Sequence, residues 1–437
     1  MRRALPTAVV VALLVPAGAF AHASLIRESP AFKERLASSP REVVLRFDQS
    51  VTTFPNSVEV LTQDGKNLVS SVRAVPEKRA IVAHLPALPR GPYTVRWHAM
   101  SNDGHVVSGV FTFGVRVAAP PVTDAVGAQG PTRTEDLVRW AYFLALALLV
   151  GGLGFRLLIV RGPLAPRAER RFYWIAGIGA VAVLEVGIAA FLLRAEDALQ
   201  LPLGNFLYGD LSPISNGTRF GAAFITMELG FAAVTALLYL AWLTDRRDLL
   251  WPAFVLGLAF ASGLSLSGHS AADAGHSWLS ELADWVHLSA ATLWVGGLVQ
   301  LAAVVWPAAP ELRRTAFLRF SRLATVLVAL LLVAGTYLSI LRLPHVRDLW
   351  ATGYGHVLLV KLALVALALG WGAVHHFVAV PRIERDGVLA ALSRSMVGES
   401  AVAMAVLLAA AVLVDSKPPA QPVQRVPVAA QTAPRSP

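Results

Sequence analysis

Eight apolar stretches, each about 18–25 residues long, follow Glu135 and leave this chain little choice of fold. They cover 136–160, 172–193, 219–243, 249–267, 283–306, 319–341, 355–379 and 396–414. A helix of that length crosses a hydrocarbon core of roughly 30 Å. Inside lipid, a lone stretch can pair all its own backbone polar groups only as a helix. Composition points the same way, with 55% hydrophobic and 15% charged residues, where soluble proteins carry about a quarter charged. Residues 135–415 are therefore expected to form an all-α polytopic membrane bundle of about eight helices. The tail 416–437, rich in Pro, Ala and Gln, is expected to be disordered.

The net charge of +10 comes from arginines clustered in alternate loops. Arg161, Arg167, Arg170 and Arg171 form one cluster, and Arg246 and Arg247 a second. Arg313, Arg314, Arg319 and Arg322 form the third, with Arg382, Arg385 and Arg394 the fourth. Stretch 268–282 has none. This is membrane topology rather than nucleic-acid binding, and it places the clustered loops in the cytoplasm. The chain is read as a multi-pass protein of the bacterial inner membrane with its N-terminal domain in the periplasm.

Residues 22–117 follow a different period. Glu42–Phe47, Ser57–Leu61, Ala80–His84, Gly91–His98 and Gly109–Val115 are short runs rich in β-branched and aromatic residues, separated by turn signals such as Asp64-Gly65. Tyr93, Val95, Trp97 and Ala99 share one face of their run. A small antiparallel sandwich is expected, followed by a Pro/Ala/Gly-rich linker over 118–134.

Residues 1–21 have the order of a signal peptide: Arg2 and Arg3, an apolar run, then Ala19-Phe20-Ala21 as an A-x-A cleavage site. Cleavage after Ala21 makes His22 the mature N-terminus. Its α-amine and imidazole are then a ready chelate for a copper-type metal. Ser101-Asn102-Asp103-Gly104-His105 joins two of the expected strands, and residues two apart in extended chain point the same way, so Asp103 and His105 can face one site. His22, Asp103 and His105 make a nitrogen-rich set with one carboxylate, which suits tetragonal Cu(II). The chain has no cysteine, so thiolate sites and disulfides are excluded.

His22-Ala-Ser-Leu and the run from Trp97 through His105 to Gly109, followed by Phe111-Thr-Phe113, resemble CopC, a periplasmic copper-binding family. The resemblance implies a Greek-key β-sandwich holding Cu(II) through His22, Asp103 and His105. Some members also carry a methionine-rich Cu(I) site, which Met100, the single methionine of these residues, cannot build. The multi-span region, with Trp285-Val-His287 through Trp294-Val-Gly-Gly297, resembles CopD, the membrane partner of CopC. One chain joining both is similar to CopC–CopD fusions, for which the resemblance implies copper import and a part in copper homeostasis and resistance.

Ionisable groups inside spans are costly and are functional candidates by default. Glu228, with Met227 beside it, and His287 are expected to line a membrane pathway, with His269, His276 and His356 at its outer end. Asp284 shares a helix face with His287. Lys361 is a counter-charge available to Glu185 or Glu228, and His375 and His376 lie near the inner end of the seventh stretch. His98 lies on the polar face near the loop, where support of the Cu(II) ligands is one reading, while His84 is read as a solvated histidine and Met404 as packing. No phosphate-binding loop G-x-x-x-x-G-K-[ST] is present. The expected function is therefore non-enzymatic: capture of Cu(II), with copper passed to or across the membrane, as Cu(I) if an outside reductant acts. Partners are copper, the bilayer and a periplasmic copper donor, with no nucleic acid. The alternatives are a copper- or haem-dependent membrane oxidoreductase, and a sensor or storage protein with a membrane anchor.

Overall fold

A computed structural model describes residues 23, 25–54, 56–63, 65–101, 106–120, 133–199, 219–267, 278–343, 345–386 and 392–416. The first part is all β, in nine strands: β1 (Leu25–Ser29), β2 (Glu34–Leu36), β3 (Glu42–Phe47), β4 (Val51–Thr52), β5 (Val58–Leu61), β6 (Ser71–Val75), β7 (Ala80–His84), β8 (Gly91–Ser101) and β9 (Val106–Val115). One sheet has the order β1-β3-β7-β6, and the other β2-β9-β8-β4, with β5 also on β8. The chain passes between sheets five times, so sheet neighbours are seldom consecutive, as in a Greek key.

Alternation decides which side chains meet. Val43, Leu45 and Phe47 of β3 and Tyr93, Val95, Trp97 and Ala99 of β8 are buried in one shared core. Phe47 and Trp97 join the sheets edge to face at 5.4 Å. Trp97 also lies directly opposite Gly109 on β9, and a Cβ there would sit 2.7 Å from the indole ring. The strand carries glycine because the ring covers its backbone. Two findings depart from the sequence reading. β2 runs parallel to β9 where an antiparallel sandwich was expected, and β1, β2, β4 and β6 carried no strong strand pattern.

Eight long helices follow: α1 (Arg133–Ile159), α2 (Pro166–Leu199), α3 (Arg219–Thr244), α4 (Leu250–Ser267), α5 (Trp278–Ala308), α6 (Arg313–Arg342), α7 (Gly353–Val374) and α8 (Leu392–Asp415). They occupy the eight expected stretches. By length and composition, seven qualify as membrane-crossing among the described residues. The 18-residue α4 is not among them. The π-type segment His375–Ala379 extends α7 into Val380–Asp386. All eight helices feed one apolar core, in which α1 is the most enclosed of the seven and α7 the least.

A backbone crossing fixes this core. A Cβ on Gly151 of α1 would lie 2.2 Å from the Thr292 carbonyl oxygen of α5, and one on Gly296 would lie 2.1 Å from that of Ala147. Where lipid gives no hydrophobic drive to helix pairing, small residues allow such close approach.

One end of the bundle is tied by arginines donating to carbonyls near helix C-termini. Arg319 reaches Ile159 at 2.9 Å, Arg171 reaches Ala303 at 3.1 Å and Arg314 reaches Ile383 at 3.3 Å, while Arg313 reaches Trp306. Arg247 adds an ion pair to Glu169 at 3.1 Å. Helix C-termini leave carbonyls unpaired and carry partial negative charge, so cations belong there. The ends of α1, α5 and α7 therefore share the arginine-rich side.

Gly109→Val is expected to lower the stability of residues 22–117, expressed alone, by about 1–3 kcal/mol through overpacking against Trp97. Urea unfolding checks it, and an unchanged midpoint would contradict the packing role.

Candidate functional site

Three segments distant in sequence meet at one end of the sandwich. The Ala23 amide, 4% exposed, donates to Ser101 Oγ at 3.0 Å across 78 positions of chain. Ser101 ends β8, where Val51 of β4 pairs with it and Thr52 pairs with Met100. The β8–β9 hairpin has its last pair at Met100 and Val106. His22, Asp103 and His105 lie outside the described residues. Their flanking neighbours Ala23, Ser101 and Val106 are described, and they converge.

Gln49, missed in the sequence reading, belongs to this end. Leu25 pairs with Phe47, and that antiparallel register extended by two residues brings Ala23 level with Gln49. Gln49 is buried, and neither of its amide atoms has a hydrogen-bond partner among the described residues. An unsatisfied buried amide calls for an explanation such as an ion or a water. Its signal, a lone Gln beside a strand end, is too weak to find from sequence. Met100 is buried at 1% exposure, on the face of β8 opposite Trp97 and Ala99. His98 pairs with Ser108 within the same hairpin, nearby. His84 pairs with Glu42 at the other end of the β3–β7 ladder.

The membrane residues fall into two groups with different neighbours. Tyr142 of α1 donates its hydroxyl to Met227 Sδ at 3.6 Å, with both side chains buried. The Glu228 carboxylate lies against α2, where a Cβ on Gly187 would be 2.0 Å from Oε1. That oxygen is buried without a hydrogen-bond partner. His287 instead faces α6, where a Cβ on Gly335 would lie 3.0 Å from its Cε1. Its Nδ1 is likewise buried and unpaired. Met227 and Glu228 thus face α1 and α2, while His287 faces α6.

Asp284, one turn before His287, approaches Arg342 at 3.9 Å. Lys361 interacts electrostatically with Arg342 and Asp284, which gives it a different partner from the Glu185 or Glu228 expected from sequence. His356 Nε2 lies 3.0 Å from the Trp350 carbonyl oxygen. His269 and His276 lie outside the described residues. Among those described, no three His, Cys, Asp or Glu side chains are grouped to hold a metal.

One buried acid–base contact in the bundle is one the sequence reading half saw. His375 Nδ1 lies 2.8 Å from Glu399 Oε2, and both side chains are buried. His375 was noted, but Glu399, between Gly398 and Ser400 inside the eighth stretch, was passed over. The cost of an intramembrane carboxylate was the signal available.

Comparison with known proteins divides the chain in the same way. Residues 25–116 match the CopC domain, residues 135–279 the N-terminal domain of copper resistance protein D-like proteins, and residues 314–413 copper resistance protein D. The Trp285–Gly297 run falls between the last two. The copper transport protein CutJ of Bacillus subtilis (strain 168) is 27% identical over 434 residues, covering 94% of this chain and 77% of CutJ. Protein YobA of Escherichia coli (strain K12) is 30% identical over 112 residues, 25% of this chain and 90% of YobA. Among solved structures, CopC from Methylosinus trichosporium OB3b is 34% identical. That match covers 22% of this chain and 93% of that chain, with a TM-score of 0.20.

Ser101→Ala orphans the buried Ala23 amide and is expected to cost about 1–3 kcal/mol. Denaturant unfolding of the sandwich beside Ser101→Thr, which keeps the acceptor, checks this. Equal stability of all three proteins would remove the tether.

Proposed function

Since the chain belongs to the CopC–CopD fusion family, we propose that its sandwich captures Cu(II) outside the inner membrane and its helices carry copper inward. The observation that supports this most is the Ala23–Ser101 hydrogen bond. Consecutive Cα atoms lie about 3.8 Å apart. His22 is one link before Ala23, Asp103 two links after Ser101, and His105 one link before Val106. We infer from these spacings that all three can reach one site once residues 1–21 are removed. The free amine of His22, its imidazole, the His105 imidazole and the Asp103 carboxylate then form the chelate. Gln49 is the neutral polar group beside it.

In this reading the site is a binding site rather than a catalytic one, and copper is the cargo. The membrane domain receives it through His287, with His269, His276 and His356 at the outer face. Glu228 and Met227, across the bundle, are the second station. The arginine-tied end faces the cytoplasm.

His22→Ala, made so that cleavage after Ala21 is retained, is expected to weaken Cu(II) binding by roughly a hundredfold, or about 3 kcal/mol. His287→Ala should leave that binding intact, and both variants should lose cellular copper accumulation. Normal binding in His22→Ala would overturn the site, and unchanged accumulation in a deletion strain would overturn import. Protons compete with the metal for the amine, whose ordinary pKa is about 8. Affinity should therefore fall as pH drops, about tenfold per unit near neutrality if one proton is displaced. Competition titrations against a chelator at several pH values read this directly.

A further inference from the structure

The His375–Glu399 pair takes no part in the copper route just proposed, yet it is a buried, closely bonded pair of ionisable groups in the bundle. His375 opens the π-type segment at the end of α7, and Glu399 sits on α8. Their side chains are 9% and 7% exposed. His375 Nε2 lies 2.7 Å from Ser395 Oγ, and the Trp371 indole N–H donates to that same oxygen at 2.9 Å. The Phe317 ring meets the imidazole edge on at 5.8 Å. Both imidazole nitrogens are therefore engaged, and the walls around them are largely apolar.

The hydroxyl of Ser395 lets this frame hold His375 in either charge state. With Trp371 occupying one lone pair, Ser395 can donate its own proton to a neutral His375 Nε2. It can equally accept from Nε2–H of an imidazolium, and the hydroxyl proton then turns away. Nδ1–H faces the Glu399 carboxylate in both cases. With the proton the pair is neutral overall, and without it the buried site carries one net negative charge. The hydrogen-bond frame thus offers a partner to each nitrogen whether or not the extra proton is present. A π segment in a helix often marks a functional site.

Several other ionisable groups lie toward this end of the bundle. His376, next in sequence, is exposed and lies 3.4 Å from Ser321 Oγ of α6. Arg314 of α6 donates to the Ile383 carbonyl, Arg156 of α1 donates to Val160, and Arg394 of α8 is exposed. His376 is thus the exposed imidazole next in sequence to the buried one, near the arginine-rich end.

We propose that His375 and Glu399, framed by Ser395 and Trp371, form a proton-binding site, and that copper passage is coupled to exchange of one proton between this site and water through His376. The coupling rests on the copper-transport reading, whereas the proton site does not. No covalent bond is made, and the proton balance closes with one H⁺ bound and one released per cycle.

Infrared pH-difference spectra of the full chain in lipid vesicles, taken between about pH 5 and pH 8, test the site itself. Carboxyl and imidazole bands are expected that vanish in Glu399→Gln and are altered in Ser395→Ala and His375→Gln. Spectra identical to the unsubstituted protein in Glu399→Gln and His375→Gln would overturn the proton site. Vesicles loaded with a pH-sensitive dye then test the coupling on addition of copper. A change in lumenal pH that is lost in Glu399→Gln, with Cu(II) binding to the sandwich unchanged, is the expected result. Copper passage with no proton movement would overturn the coupling and leave copper transport standing. Absence of copper passage in the unsubstituted protein would overturn the transport reading instead, with the spectra still deciding the proton site.

Discussion

The membrane half is organised around two helices that touch through their backbones. Gly151 and Gly296 leave no room for a side chain between α1 and α5, and the other spans pack around that contact. In water such an approach would follow from hydrophobic collapse. In lipid it must come from fit, because hydrocarbon tails are as apolar as leucine. The π-type segment Ala147–Gly151 carries this contact on α1, a second, Phe155–Ile159, follows it, and a third, Leu301–Val305, lies on α5. A π turn leaves the regular i→i−4 ladder, so it gives a packed helix somewhere to bend.

A core held by fit can accommodate polar groups only at defined places, and the places differ in kind. His375 and Glu399 satisfy each other and recruit Ser395 and Trp371. Glu228 Oε1 and His287 Nδ1 are buried without a hydrogen-bond partner among the described residues, each set against a glycine on a neighbouring helix. A half-satisfied buried polar group is costly, while a closed network is not. The closed network therefore fits a site that exchanges something as small as a proton. The open atoms fit positions where a larger cargo would complete the bonding.

Legibility in the sequence followed the strength of the periodic signal. The eight apolar stretches became eight helices because nothing else satisfies their backbone in lipid. β3 and β7 fall on their expected bounds, and β8 and β9 extend three residues beyond theirs into the hairpin. The missed strands are short or polar, such as Leu25–Ser29, whose residues are largely exposed, and two-residue Val51–Thr52. Their placement comes from pairing with stronger neighbours, which no local pattern records. Of the proposed Cu(II) set, its members were legible as residue types. The bond that gathers their neighbours, from Ala23 to Ser101, spans 78 positions and has no local signature.

Composition limits what can bind copper along the route. The chain has no cysteine and five methionines. Met100 is buried in the sandwich, Met396 is buried in the bundle, and Met404 lends its carbonyl to the Trp140 indole N–H at 3.0 Å. That leaves Met227, beside Glu228, as the single thioether adjacent to an unpaired polar atom in the described bundle. Soft ligands select Cu(I), while imidazole and carboxylate suit Cu(II). A relay of clustered thioethers cannot be assembled from these residues. The route proposed would therefore rely on histidine, carboxylate and carbonyl groups spaced apart in the bundle, which bind more weakly one at a time than a closed chelate does. A conduit needs that property, since each station must release what it receives, and it contrasts with the chelate that His22, Asp103 and His105 would form at the surface.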